Sequence, residues 1–357
     1  MWNIGVALVF IIFLLMLIYL VLSFRKFKFI KKIKNKFLQI ILCLLPLILI
    51  FILFNYVNSI VILFHLFIFV SLSHIFILIY KKISKKKVIE YSYALTGIII
   101  TIIYLAIGAY LDYHVFETRY EIKTDKNISN YKIIQISDSH VGTTFNGEGF
   151  LKHINRINKI KSDIVVITGD FVDDDTTKED MIKSCEALGV LKPKYGVYFI
   201  YGNHDRGYFN YRNFSESDLV KELEKNNVKV LRDEVVLIND ELYLIGRDDK
   251  TNTNRKSIEE LTRNLDKTKY LVDLNHQPND YDNEKNKVDL VLCGHTHGGQ
   301  LFPLGYIGLL INANDAFYGL EKRGNTNFIV NSGLSDWAID FKTGTKSEYG
   351  IIDIISE

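Results

Sequence analysis

Residues 131–140 read YKIIQISDSH, an apolar run of strand length that ends in Ser137, Asp138, Ser139 and His140. Such a run, rich in isoleucine, predicts a buried strand. Its polar end carries the larger message, because open α/β sheets gather their ligands at the carboxyl ends of their strands. The same arrangement recurs down the chain. DIVVIT at 163–168 runs into Gly169-Asp170-Phe171-Val172-Asp173, and YGVYFIY at 195–201 runs into Gly202-Asn203-His204-Asp205. YLVDLN at 270–275 is followed by His276, and VDLVLC at 288–293 by Gly294-His295-Thr296-His297-Gly298-Gly299-Gln300. Five strand ends in succession deliver carboxylate, imidazole or carboxamide groups.

Helical periodicity fills the gaps between them. Phe150, Leu151, Ile154, Ile157 and Ile160 predict a helix over 148–160. Further helices are expected at 178–190, at 215–226 with Ser217 as its cap, and at 257–265. Strands at 235–239 and 242–246, joined by Asp240-Glu241, suggest a hairpin. Two more strands are expected at 328–331 and 350–354. The early β-α-β-α-β run implies parallel pairing, and the later hairpin implies antiparallel additions. The fold class is therefore α/β. Cys43, Cys185 and Cys293 are scattered, so they form neither a disulfide framework nor a zinc pattern and are read as small buried residues.

Mixed oxygen and nitrogen donors suit a borderline divalent cation. A shared aspartate offsets the repulsion between two cations, and neutral histidines keep the site from becoming too anionic for a phosphate. If the segments are extended, Asp138 and His140 share a face, as do His295 and His297. Taken singly, Asp138 and Asp170 could be helix caps and Asn203 a turn residue. Seven such groups at successive strand ends are not explained that way. The run Asp173-Asp174-Asp175 reads instead as a solvated loop or a helix cap.

Residues 1–116 are a different material. Four apolar runs, 2–24, 37–54, 60–80 and 92–113, each approach the ~20 residues that a bilayer-spanning helix needs. This part carries 12 Lys+Arg against 2 Asp+Glu, whereas 117–357 carries 31 against 39. A C-terminal net charge of −8 is ill suited to a phosphate backbone, so no nucleic-acid polymer is expected as a partner. Seven basic residues follow the first run, none the second and five the third. That alternation puts loops one and three in the cytoplasm, and the N-terminus and the C-terminal domain outside. Trp2, Tyr56 and Tyr80 suit interfacial anchoring. His65 and His74 lie within the third run, nine residues apart. They are read as interhelical hydrogen-bonding residues, with a functional role as the alternative.

The motifs D-x-H, G-D-x-x-D, G-N-H-D/E, H and G-H-x-H stand here as Asp138-Ser139-His140, Gly169-Asp170 with Asp173, Gly202 to Asp205, His276, and Gly294 to His297. In this they resemble the calcineurin-like metallophosphoesterases, and within them the bacterial membrane-associated branch. The resemblance covers about 131–357. It implies a four-layer α/β/β/α sandwich; the four transmembrane helices read from the apolar runs precede it, with a linker at 117–130. It implies two divalent metal ions, among Mn, Fe, Zn or Ni. Asp138, His140 and His297 would hold the first, Asn203, His276 and His295 the second, and Asp170 would bridge them. His204 would face the substrate as the catalytic acid, with Asp205 orienting it or merely capping. Ser139 stands where relatives often carry an apolar residue, at a position that is not a ligand. Asn331-Ser332-Gly333-Leu334 resembles the family's glycine-containing closing segment only loosely. The implied activity is hydrolysis of phosphate mono- or diesters by a metal-bridging hydroxide. Expected partners are a phosphate-ester substrate, with a lipid- or cell-wall-linked one as a candidate, and the lipid bilayer. Two alternatives remain open: an extracellular nucleotide phosphodiesterase, and a non-catalytic metal-binding sensor.

Overall fold

A computed structural model describes residues 2–208 and 211–357, with side chains from Ala7 onward, so Trp2's anchoring side chain lies outside the described residues. The chain divides into two compact units, Met1–Gly108 and Ala109–Glu357.

The first unit is helical: α1 (Trp2–Phe24), a single turn α2 (Lys28–Lys31), α3 (Lys36–Leu53), α4 (Tyr56–Ser84) and most of α5 (Ser92–Tyr113). α1, α3, α4 and α5 are long and apolar enough to cross a membrane. Asn35 and Asn55 cap α3 and α4 through their side-chain oxygens. α4 runs longer than its apolar run, because the Asn55 cap starts it early and the lysine-bearing turn near Lys81 continues it. Met16, Leu20, Leu47, Leu63, Val70 and Ala94 form a shared core. Gly97 lies so close to Val70 that a Cβ there would overlap its backbone. His65 Nδ1 bonds Val61 O of its own helix at 2.8 Å. His74 stacks on Tyr93 at 4.1 Å and bonds the Tyr19 hydroxyl at 3.1 Å.

The second unit holds, in chain order, β1 (Phe116–Thr124), β2 (Tyr131–Ile136), α6 (Gly147–Ile157), β3 (Ile164–Thr168), α7 (Lys178–Leu188) and β4 (Val197–Ile200). These are followed by α8 (Glu216–Lys225), β5 (Val228–Val230), β6 (Glu234–Ile238), β7 (Leu242–Gly246), α9 (Ile258–Thr262) and β8 (Tyr270–Leu274). Then come α10 (Tyr281–Glu284), β9 (Leu290–Cys293), α11 (Leu304–Leu310), β10 (Gly319–Arg323), β11 (Thr326–Val330) and β12 (Glu348–Ser356). They build two six-stranded sheets, ordered β1-β12-β2-β3-β4-β5 and β10-β11-β9-β8-β7-β6.

The four layers follow from the strands' two-residue period. Ile134 and Ile136 face Phe150, Ile154, Met181 and Leu219 of the outer helices. Ile133, Ile164 and Val166 face the opposite way, onto Leu244, Val272 and Leu292 of the second sheet. That sheet's other face, with Leu271, Val291 and Phe328, is covered by Ile258, Leu261 and Tyr281. Central strands buried on both faces must be apolar throughout, which is why they read as unbroken runs. β2 to β5 pair in parallel, as do β7, β8, β9 and β11, while β6–β7, β10–β11 and β2–β12 are antiparallel.

Two local expectations are corrected. Residues 117–130 are not a linker throughout, because 116–124 form the edge strand β1, paired in parallel with β12. Its charged Arg119, Glu121 and Lys123 are exposed while Ile122 is buried, an alternation suited to an edge. The cap of α8 is Ser215 rather than Ser217, in a box where Ser215 and Asp218 bond each other's backbone N–H groups.

Candidate metal centre

The five strand ends of β2, β3, β4, β8 and β9 converge, and their loops abandon regular geometry at once. Asp138, His140, Asp170, His295 and His297 all have positive φ, between 35° and 73°. The condition of an extended segment, under which the paired side chains would share a face, is therefore not met in either histidine-bearing motif. Left-handed backbone is costly for residues with a side chain and persists where surrounding bonds over-determine it. Here they do: Asp138 N–H donates to Gly169 O at 3.0 Å, and His140 N–H to Asp170 O at 3.1 Å. Both oxygens of Asp138 accept the His295 N–H, at 2.9 and 3.1 Å. Gly294 permits this approach, since a Cβ there would overlap Ser137 and the Asp138 carboxylate. Gly202 does the same against Asp170.

The predicted residues fall into two groups. Potential ligand atoms of Asp138, His140 and His297 lie within 4.8 Å of one another, and so do those of Asp170, His276 and His295. Asp170 stands between the groups: its Oδ2 is 3.1 Å from His276 Nε2 and 3.7 Å from His140 Nε2. Asn203 Oδ1 joins the second group, 3.1 Å from His276 Nε2. His295 and His297, two residues apart, thus belong to different groups.

The fit of these residues to cations can be tested on the imidazoles themselves. Nδ1 of His140 is bonded to Asp173 Oδ2 at 2.8 Å, Nδ1 of His276 to Thr168 O at 2.8 Å, and Nδ1 of His297 to Ser335 O at 3.2 Å. Occupying Nδ1 turns Nε2 inward, the outer-shell arrangement that orients a metal-binding histidine. His140 Nε2 and His295 Nδ1 are buried with no hydrogen-bond partner among the described residues. Burial pushes His295 down to about 4 and, with His140 beside it, holds His297 well below its ordinary range. Both are neutral nitrogen donors. Burial opposes the ionised form of Asp170, but His276 and His140 hold it well below the usual carboxylate range. The donor set therefore fits two cations sharing one carboxylate.

Sequence reasoning misjudged Asp173, left two roles open for Asp205, of which the structure shows the capping one, and passed over Lys342. Asp173 is buried, not part of a solvated loop, and its second oxygen reaches His204 Nδ1 at 3.3 Å. One carboxylate thus holds both His140 and His204. The signal was its fixed distance from Asp170 in G-D-x-x-D. Asp205 does not orient His204. Its oxygens accept the N–H groups of Asp170, Phe171, Val172 and Gly202 at 2.7–3.1 Å, tying the β3 and β4 ends together. Lys342 is fully buried and donates to Ser332 O and Ser335 O, bracing the loop whose carbonyl holds His297. No local signal marked it. The segment from Asn331 to Leu334 closes the site: Leu334 N–H donates to Ser137 O at 2.8 Å, with Gly333 at φ 86°.

His204 faces an open cleft of about 440 Å³ whose lining includes Asp174, Tyr208, Tyr211 and Trp337. Its ring lies 4.9 Å from that of Tyr208 and 6.0 Å from that of Trp337.

Comparison with other proteins agrees with this geometry. Residues 131–299 match the family model described as calcineurin-like phosphoesterase. A metallophosphoesterase of Aquifex aeolicus is 35% identical over 56% of this chain and 77% of its own length. One from Bacillus subtilis is 31% identical over 60% of this chain and 80% of its own. A zebrafish transmembrane protein with a metallophosphoesterase domain is 28% identical over 63% of this chain, and the match spans 53% of that relative's length. With its motifs at five converging strand ends and these relatives, the chain belongs to the calcineurin-like metallophosphoesterase family.

Proposed function

We propose that the protein is a membrane-anchored phosphoesterase that uses two divalent cations to hydrolyse phosphate mono- or diesters. The observation that carries this reading is the position of the Asp170 carboxylate between two sets of inward-turned imidazoles. Asp138, His140 and His297 would hold one cation, and Asn203, His276 and His295 the other, with Asp170 common to both. Bound cations would lower the pKa of a shared water and neutralise charge developing on the phosphoryl oxygens.

The chain's own residues supply the rest. Asp173 holds His204 Nδ1, which leaves Nε2 as the nitrogen to serve the cleft that the residue lines. The imidazole can therefore give a proton to the departing oxygen, a role worth about 10²–10⁴ in rate. Tyr208 and Trp337 flank that imidazole, so the leaving group lies against aromatic surface. The Asp205 carboxylate fixes the β3 and β4 loops, which carry Asp170, Asn203 and His204.

α1, α3, α4 and α5 support membrane anchoring. The 7-0-5 distribution of basic residues over the three loops between the apolar runs supports an extracytoplasmic catalytic domain. A substrate at or near the outer membrane surface follows from that placement. The test of activity is hydrolysis of bis(p-nitrophenyl) phosphate and p-nitrophenyl phosphate by the full chain in nanodiscs, with and without Mn²⁺. Metal-stimulated turnover is expected, and the ratio of the two rates reads the diester preference. No metal-stimulated turnover of either ester overturns the reading. Orientation is tested separately: protease added to intact cells should cleave within 131–357, and full protection would reverse the topology.

A further inference from the structure

Four residues beyond His297 begins a segment that the catalytic reading leaves unused. Residues 301–314 read LFPLGYIGLLINAN and contain no charged side chain. Their centre is α11, and none of its residues is buried. Leu310 is 83% exposed, Ile311 70% and Phe302 59%, and Leu304, Tyr306 and Ile307 are exposed as well. Six large apolar side chains crowd into ten positions, on a surface where single exposed apolar residues are ordinary and contiguous patches are not. The segment is nonetheless held in place. Tyr306 packs edge-on against Phe317 at 5.0 Å, and Phe302 N–H donates to Thr343 Oγ1 at 3.0 Å. Gln300, just before it, bonds Ile339 O and Phe341 O at 3.1 and 2.9 Å. This is a fixed apolar projection rooted beside the His297 group.

We propose that α11 with Phe302 and Ile311 inserts into the interfacial layer of the bilayer, seating the metal centre over the phosphates of membrane lipids. The occupant is argued from the chain itself. The fourth apolar helix ends at Tyr113 and the first strand of the domain begins at Phe116, so only His114 and Val115 intervene. A domain so closely tethered cannot leave the membrane surface, and the local concentration of bilayer is correspondingly high. A charge-free segment bearing a tyrosine among leucines and isoleucines suits the boundary between headgroups and acyl chains. The substrate class that follows is a phosphoester whose phosphate sits at the headgroup level of a lipid.

This rests on the phosphoesterase reading above, and the test separates the two. The three native cysteines, Cys43, Cys185 and Cys293, are buried, so a single surface cysteine can be labelled selectively. Full-length L310C and K229C proteins, each carrying a nitrobenzoxadiazole label, are reconstituted into phosphatidylcholine vesicles with or without brominated acyl chains. Quenching by brominated lipid is expected at 310 and not at the exposed 229. Equal quenching at both sites, or none at 310, overturns insertion. Concentration-dependent self-quenching at 310 without lipid quenching would assign the patch to a second copy instead. In parallel, L310E/I311E should hydrolyse soluble bis(p-nitrophenyl) phosphate as the unmodified chain does. It should lose at least tenfold on hexadecyl p-nitrophenyl phosphate dissolved in the vesicles. Unchanged rates on both esters overturn the lipid-phosphate assignment. If the unmodified chain hydrolyses neither ester, the phosphoesterase reading fails while the quenching result still stands.

Discussion

Histidines occur in both units, and they are treated in opposite ways. In the helical unit His65 bonds a carbonyl of its own helix, and His74 is stacked on Tyr93 and bonded to Tyr19. Their environment satisfies them. At the sheet ends His140, His276 and His297 have one nitrogen occupied from behind and the other turned inward. His140 Nε2 and His295 Nδ1 have no hydrogen-bond partner among the described residues. His140, His295 and His297 also sit on left-handed backbone, which costs energy and which His65 and His74 of α4 do not share. The difference teaches that residue type does not mark a site. An unspent donor atom, held by strained backbone and fixed from behind, does.

The comparison can be broken by substitution. The largest effect should come from Asp170→Asn, which removes the charge both groups share: metal content by mass spectrometry and turnover should both fall to background. Retention of two metals would mean that Asp170 does not lie between them. His204→Ala should keep its metals and lose about 10²–10⁴ in kcat, since it removes a proton donor and no ligand. Loss of metal in that variant would move His204 into the ligand set. Asp173→Asn leaves His140 and His204 without their anionic partner, and second-layer changes of this kind typically cost about 10–100-fold. A pH–rate profile separates a positioning effect from collapse: burial disfavours the His204 imidazolium and Asp173 favours it, so losing the carboxylate should move the alkaline limb set by this proton donor to lower pH. The smallest effects should be His65→Leu and His74→Phe. Each removes one hydrogen bond worth about 1 kcal/mol, visible as a small drop in melting temperature, with turnover unchanged. A loss of turnover in either variant would give the α4 histidines a functional role and dissolve the contrast.

Much of the site was legible because strand ends in an α/β sheet are marked by where an apolar run stops. All seven predicted ligands and His204 lie in the loops that leave β2, β3, β4, β8 and β9. The edge strand β1 was missed because four of its nine residues are charged and its alternation resembles a polar linker. β5 and β10 are short or exposed and left no apolar run to read.

The sequence by itself determined the division into an apolar, basic part and an acidic α/β part, and the order in which ligands arrive. Both are properties of composition and period, which act locally. The family resemblance assigned His295 and His297 to different cations, whereas an extended chain would have put both on one face. Tertiary structure alone decided how that separation is made: a left-handed turn at both residues, admitted by Gly294 and fixed by Asp138. It alone revealed that Asp173 serves two imidazoles and Asp205 four backbone amides. It alone revealed that the helix after the last motif stays uncovered. These depend on which residues meet across the sheets, and no local pattern records a meeting between distant segments.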